Sequence, residues 1–333
     1  MKKIISFALS ALFAFSALSG CAGASSSASA GAAAGSAPSG TGTSAGYRIG
    51  LVQMMEHTSL DEIRAAIEAE LDARLGAGNY TYDYQNGQND PTTMMNICQK
   101  FVADDVDIII AIATSAAQSA ATVAEGTDIP VVFSAVTDPV AAQLVADLEA
   151  PGGNVTGTSD AIPVSDIFDL AQELTPDIQT VGVLYCTGEP NSAAVVADAR
   201  AELEARGLTF VESAVTASAE VQTAAQNLLS QCDALFVPID NTVAGAISVV
   251  ADEAIQAGKP LYVAADSMVR DGGLASVGVN YTNLGTQTAD MALRILEGED
   301  PAAMPVEVLQ DANVVVNEET AGAIGVDVSK YVG

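Results

Sequence analysis

The chain has 333 residues, with 42 acidic against 12 basic side chains, a formal charge of −30, 5% aromatic residues and no tryptophan. Nucleic-acid phosphates require Lys and Arg, so this balance excludes a nucleic-acid function, and it equally excludes a polybasic membrane contact. The acid excess bears on solubility and habitat rather than on an acidic activity.

The first residues carry an export pattern. Lys2 and Lys3 form a positive n-region, Ile4 to Leu18 an apolar stretch, and Leu18-Ser19-Gly20 a run of small residues before Cys21. That order predicts a secretory signal over residues 1–20, too short and too weakly flanked for a good transmembrane span. It resembles the bacterial lipobox, in which the cysteine is acylated and becomes the new N-terminus; the plainer alternative is an ordinary signal peptide with a chance cysteine. Residues 21–46 are almost entirely Ala, Ser, Gly and Thr. They have too little apolar surface to offset the entropy of ordering them, so a disordered tether is expected. Removing residues 1–20 takes away two lysines and leaves 10 basic against 42 acidic residues, a formal charge of −32. No later apolar run reaches the roughly 18 residues of a bilayer span.

From Tyr47 the pattern alternates between short β-rich runs and helical segments. Strands are predicted at Arg48–Met54, Tyr80–Tyr84, Asp107–Ala113 and Pro130–Ala135. Between them, Leu60, Ile63, Ile67 and Leu71 recur at helical spacing, behind a capping box of Ser59 and Glu62. Met94, Ile97, Cys98 and Phe101 repeat that spacing. Pro151-Gly152-Gly153-Asn154 and the run Val155–Asp160 form a join. A second series follows, with strands at Thr180–Tyr185, Leu208–Ala214, Ala234–Pro238, Pro260–Ala264 and Ala275–Val279. Its helices are predicted at about Ser192–Arg206, Ser218–Leu229 and Thr242–Ala257. One more helix, Asn283–Leu296, and an extended run, Val306–Val316, complete the chain. Such βαβ alternation predicts two α/β lobes, each a parallel sheet with helices on both faces. The helix at 283–296 either extends the second lobe or returns to the first, which would create multiple crossovers and a hinge.

Open parallel sheets bind ligands in the loops at their C-terminal strand ends. In the first series those loops carry Glu56-His57, Asn86–Asn89, Thr114-Ser115 and Ser134–Asp138. In the second they carry Thr187–Ser192, Thr216–Ser218, Asp240-Asn241 and Asp266-Ser267. Hydroxyls and helix N–H groups at Thr114-Ser115 suit a carboxylate. Asp240, Asp266 or Glu189 would suit an ammonium group, so a zwitterion such as an amino acid is compatible with the set. No catalytic motif accompanies these loops. Gly50 is followed by Leu51-Val52-Gln53 rather than a GxGxxG turn, P-loop and HExxH patterns are absent, and no GxSxG nucleophile elbow stands at any of these strand ends. His57 is the single histidine, which excludes a histidine metal cluster and leaves one side chain for any triad. Cys98, Cys186 and Cys232 form no CxxC pair, and buried free thiols are expected. No metal or cofactor is expected.

Several segments carry a resemblance. Gly50-Leu51-Val52-Gln53 with Glu56-His57 and Leu60-Asp61, then Ala111–Thr114 with Ala116-Ala117-Gln118, are similar to the ABC-transporter substrate-binding protein family that includes tryptophan- and tyrosine-type receptors. Val132–Pro139, Pro151–Gly157, Val237-Pro238 with Asp240-Asn241-Thr242, and Tyr281 with Leu284-Gly285 extend the match from about Arg48 to the C-terminal region. Ser115 departs from the pattern, which has proline there. The resemblance implies a type I periplasmic-binding-protein fold, two Rossmann-like lobes joined by a multi-crossover hinge. It implies a first lobe of 47–158 plus about 281–305, a second of 159–280, and a third crossover and C-terminal segment at 306–333. The implied function is that of a lipid-anchored, monomeric extracytoplasmic receptor. It would close on a small solute, an amino acid and by preference an aromatic one, and deliver it to an ABC permease.

The implied solute contacts are Glu56, His57, Thr114, Ser115, Ser134, Ala135, Val136 and Asp138 from the first lobe. Glu189, Asn191, Asp240, Asn241 and Asp266 come from the second, with Ser159 and Asp160 from the crossover. Thr114, Ser115, Ser134 and Asn241 have a second explanation as helix caps, and Asp138 as a turn residue before Pro139. Asp240 is the leading choice, because it ends a buried strand and is expected to face the gap. Hinge motion is expected at Thr158–Asp160 and Asn280–Tyr281. Tyr185 and Tyr281 are the nearest aromatic candidates for stacking on a solute. The alternatives are a ligand sensor for a membrane signalling partner and a secreted α/β hydrolase.

Overall fold

The computed structural model describes residues 46–309 and 313–332. The signal, Cys21 and the tether lie outside the described residues. Strands β1 (Arg48–Gln53), β2 (Thr81–Asn86), β3 (Ile108–Ile112), β4 (Val131–Ser134) and β5 (Val155–Ser159) alternate with helices α1 (Thr58–Leu75), α2 (Pro91–Ala103) and α3 (Thr114–Ala124). Strands β6 (Thr180–Cys186), β7 (Thr209–Val215), β8 (Ala234–Val237), β9 (Leu261–Val263) and β10 (Ala275–Gly278) repeat the plan. Helices α4 (Val164–Leu174), α5 (Pro190–Ala205), α6 (Val221–Leu229), α7 (Asn241–Ala244), α8 (Ile247–Ala257) and α9 (Asp266–Arg270) accompany them. The chain continues through α10 (Tyr281–Leu296), β11 (Glu307–Val308), β12 (Asn313–Val316) and α11 (Glu318–Ile324).

Two six-stranded sheets result, in the orders β11-β5-β4-β3-β1-β2 and β12-β10-β9-β8-β6-β7. The two-sheet α/β architecture agrees with the sequence expectation. Every pairing is parallel except β12 on β10, which is antiparallel. The final extended run therefore serves two sheets: β11 adds to β5 of the first and β12 to β10 of the second. Central strands β3, β4 and β8 are buried at every position, as continuous apolar runs covered on both faces must be. Burying each Ile side chain of β3 contributes about 1.5–3 kcal/mol.

Two local expectations fail for identifiable reasons. Ser59 and Glu62 do not form a capping box. His57 occupies the N-cap of α1 without a side-chain cap bond, and Ser59 is already helical. Both side chains are drawn instead to partners on α9. The single helix predicted over Thr242–Ala257 is broken at Gly245–Ala246, where Ala246 leaves helical geometry with φ −123° and ψ 15°.

Helix α10 follows the second sheet in sequence but packs on the first. Its Thr288 hydroxyl lies 2.7 Å from Ser134 Oγ on β4 and 2.8 Å from Thr158 Oγ1 on β5. Its outer face carries an ion pair to α1, Arg74 Nη1 to Asp290 Oδ1 at 2.9 Å. Close approach of the two helices requires a glycine at 285. A Cβ there would stand 2.5 Å from the Ile63 carbonyl oxygen and 2.7 Å from Ala66 Cβ.

Gly285→Val should therefore overpack the α1–α10 contact and cost about 1–3 kcal/mol or more. Urea denaturation checks this; an unchanged midpoint would show that the helices can separate without penalty.

Candidate functional site

The carboxyl ends of the two sheets face each other, and side chains from their loops meet across the gap. His57 Nε2 lies 3.1 Å from Asn241 Oδ1. The roles in this contact are set by the neighbouring bond. Asn241 Nδ2 donates to Glu189 Oε2 at 2.8 Å, which turns Oδ1 toward the imidazole. A carbonyl oxygen can only accept, so His57 carries a proton on Nε2. Burial lowers the His57 pKa below its ordinary value, outweighing the Asn241 bond and the charges of Glu189, Asp61 and Asp271. The N-terminus of α1 also disfavours a positive charge there. Beside this contact Ser59 Oγ and Ser267 Oγ are 2.6 Å apart. Glu62 on α1 forms an ion pair with Arg270 on α9. Asn89 Nδ2 makes a longer bond, 3.4 Å, to Thr242 Oγ1.

Behind this seam lie two buried carboxyl groups. Glu189 accepts from Asn241 N and Nδ2, both at 2.8 Å, and from Thr242 N at 2.5 Å. Asp240 caps α7 through Val243 N at 2.9 Å and accepts from Cys186 N at 2.6 Å and Ser192 Oγ at 2.7 Å. Both oxygens of Asp240 are thus engaged within the second lobe rather than offered to the gap. Burial, and then the neighbouring Glu189 charge, pushes the Asp240 pKa upward. Asn191 supports the same loop by donating to Ile239 O at 2.7 Å.

A second cluster sits at the crossovers. Asp160, 1% exposed, accepts from Thr137 Oγ1 at 2.9 Å and from the Tyr281 hydroxyl at 3.2 Å. Burial raises its pKa to about 6 against those two bonds. The Tyr281 bond ties the start of α10 to the end of β5, joining two segments that pass between the lobes. Ser159 Oγ donates to Thr137 O at 3.1 Å. An open groove of about 680 Å³ runs from here along α5, lined by Thr137, Asp138, Ser159, Ile162, Asn191 and Asp198.

The other candidates are placed as follows. Thr114 is buried at the start of α3 and Ser115 half-buried, after Ala113 with φ 78°. Ser134 joins the Thr158–Thr288 hydroxyl chain inside the first lobe. Ala135, with φ 56°, and Val136 are buried at the end of β4. Glu56 is exposed and accepts from the Tyr84 hydroxyl at 3.2 Å. Asp138 is exposed and accepts from Ala141 N at 2.9 Å, a turn contact. Asp266 begins α9, with Arg270 Nη1 3.0 Å from its Oδ2. Ser59, Glu62 and Arg270 complete the first cluster but are absent from the sequence-derived set of solute contacts; Tyr281, expected from sequence as a stacking candidate and hinge residue, completes the second through its bond to Asp160. The i,i+4 spacing of Asp266 and Arg270 is the one sequence signal that could have revealed Arg270. Cys98, Cys186 and Cys232 are free and buried, and burial raises the pKa of each thiol. Among the described residues no cluster of His, Cys, Asp and Glu could hold a metal ion, and no helix is long and apolar enough to cross a membrane.

Asp240→Ala strips the acceptor from two backbone N–H groups and one hydroxyl in a desolvated loop. It should lower stability, by about 1–3 kcal/mol for each donor left unpaired, as well as perturb binding. A urea titration matching wild type would overturn this structural role.

Asp160 gives a pH dependence with a defined sign. An unfolded aspartate ionises near 3.8, whereas Asp160 in the fold keeps its proton to about pH 6. The folded state binds more protons between these values, so stability present below pH 3.8 is lost as pH rises through 6. Asp160→Asn removes that loss. The stability difference should shift in favour of the variant between pH 4 and pH 7; a difference constant across this range would contradict the assignment.

Comparison with known proteins places this geometry. The family model for ABC transporter substrate binding proteins matches residues 48–332. A tyrosine-binding protein of Clostridioides difficile (strain R20291) is 34% identical over 325 residues, covering 97% of this chain and 92% of that protein. An ABC domain from Streptococcus pneumoniae, solved in complex with L-Trp, superposes with a TM-score of 0.82 at 36% identity, covering 86% of this chain and 99% of the other. The ligand-free, open structure of a substrate-binding protein with adhesive properties from Clostridium difficile gives 0.67 at 37% identity, covering 86% and 98%. The chain belongs to the ABC-transporter substrate-binding protein family, a family of binding proteins rather than enzymes.

Proposed function

We propose that this protein is the solute-capturing component of an ABC importer, closing its two lobes on an amino acid with an aromatic side chain and presenting it to a membrane permease. The observation that carries the reading is the seam of direct hydrogen bonds between residues at or beside the helix starts that follow strands of opposite sheets, His57 to Asn241 and Ser59 to Ser267. Support comes from two relatives of nearly equal identity. The arrangement here is closer to the L-Trp complex than to the ligand-free, open structure, with TM-scores of 0.82 and 0.67. The tyrosine-binding relative points to the same solute class. Solute favours the closed form because only there do both lobes touch it.

The proposed division is a first lobe of 47–158 with about 281–305, a second of 159–280, and a third crossover and C-terminal segment at 306–333. For the solute-contacting set we retain His57, Thr114, Ser115, Asn191, Asn241 and Asp266, with Asp160 at the hinge. Ser134 is set aside because its hydroxyl partners all belong to the first lobe. Acylation at Cys21 would hold the receptor beside its permease, where tethering raises the effective concentration for docking.

A thermal-shift screen of L-tyrosine, L-tryptophan and L-phenylalanine, with nucleosides and polyols alongside, tests the solute class. A true ligand at 100 times its dissociation constant should stabilise by about 2.7 kcal/mol. Stabilisation by a nucleoside or polyol, with none by any amino acid, would contradict it.

A further inference from the structure

The one histidine of the chain stands where the two lobes meet. His57 ends the loop after β1 as the N-cap of α1, and its Nε2 lies 3.1 Å from Asn241 Oδ1 at the start of α7. The partner atom is fixed in place, because Asn241 Nδ2 and its backbone N both donate to Glu189. The contact therefore exists only when the lobes are together, and it meets an imidazole that already carries a proton on Nε2.

Acid adds a second proton, at Nδ1. The bond to Asn241 survives that step, but a charge then lies in a seam drained of water. Loss of hydration disfavours the charge, and so does the N-terminal end of α1. Against this stand Glu189 at the start of α5, Asp61 on α1 and Asp271 after α9, which favour it. Two further charged neighbours are already engaged: Glu56 with the Tyr84 hydroxyl, and Arg270 with Glu62 and Asp266. Desolvation wins, and the ring in this arrangement holds its second proton less tightly than the ordinary pKa of 6.5 implies. With the lobes apart, Asn241, Glu189 and Asp271 recede and water reaches the ring, which returns toward 6.5.

We propose that His57 makes closure acid-sensitive: the lobes meet around its neutral imidazole, and a second proton on the ring favours the open form, so that solute capture weakens in acid. The proposal rests on the reading of a receptor whose lobes close on a solute. Above pH 6.5 the ring is neutral in both forms and closure is at full strength. Below it the open form takes the proton first, and capture weakens by up to about tenfold per pH unit until the closed form is protonated too. Two buried carboxyl groups with raised pKa are set apart by position. Asp240 and its partners Glu189, Cys186, Ser192 and Val243 all belong to one lobe, so opening leaves them together. Asp160, with Thr137 and Tyr281, lies at the hinge and needs its own control.

Two measurements test this. Calorimetry of L-tryptophan and L-tyrosine at pH 7.5, 6.5 and 5.5 should show wild-type affinity falling several-fold, and by about tenfold at most, across the range. His57→Gln, whose amide can donate to Asn241 but takes no proton, should lose that slope, and Asp160→Asn should keep it. A slope that persists in His57→Gln, or one that vanishes in Asp160→Asn, would overturn the proposal. The second measurement needs no solute. Ser59 and Ser267 have their Oγ atoms 2.6 Å apart across the seam, so Ser59→Cys with Ser267→Cys should lock the lobes together on oxidation. Imidazole NMR of the untagged protein then reads one histidine. The ring pKa should be lower in the oxidised than in the reduced double variant, and an equal or higher value would overturn the proposal. Failure of both amino acids to bind would overturn the solute class, while the ring titration still decides for or against His57.

Discussion

Helix α10 can lie against α1 because position 285 has no side chain, and the two-lobe arrangement follows from that contact. The helix comes after the second sheet in the chain yet completes the first lobe, so the backbone must cross between lobes to reach it. One end of α10 is then a hinge element, through the Tyr281–Asp160 bond, and its middle is fixed to β4 and β5 through Thr288. The segment after β11 crosses again, since β11 extends the first sheet and β12 the second. Several crossovers restrict relative motion to a hinge opening that bends few residues and leaves each packed sheet intact.

The energetics of closure lie in the side chains at the gap. Among the described residues the polar contacts that join the lobes along this seam are one imidazole–amide bond, one hydroxyl pair, one ion pair and one longer amide–hydroxyl bond. Contacts of this number and kind, partly exposed to water, hold a closed form by a few kcal/mol at most. A solute that touches both lobes can therefore shift the population decisively, which a receptor needs if it is also to release its cargo.

Much of this architecture was legible in the sequence, because buried parallel strands leave continuous apolar runs such as Ile108–Ile112 and because helical spacing of Leu60, Ile63, Ile67 and Leu71 is unambiguous. What was not legible depends on tertiary partners. Ser59 and Glu62 match a capping box in sequence, but residues more than 200 positions away claim both side chains. The break after α7 has no proline to announce it. β12 is antiparallel because it enters its sheet from the opposite lobe, a property of the path rather than of the residues. Asp240 illustrates the limit for the site. Its place after a buried strand predicted a side chain facing the gap, whereas α7 takes one oxygen as a cap and Cys186 N with Ser192 Oγ takes the other. The loops that carry the candidate residues were identifiable, but which polar atoms remain free depends on hydrogen bonds that only the folded structure reveals.

The central claim is that the lobes close on an amino acid. Small-angle X-ray scattering of the protein, recorded without and with saturating L-tryptophan or L-tyrosine, tests it most directly. The account predicts a smaller radius of gyration and a scattering profile matching the closed arrangement once the amino acid binds. A bound amino acid with an unchanged radius of gyration would contradict it.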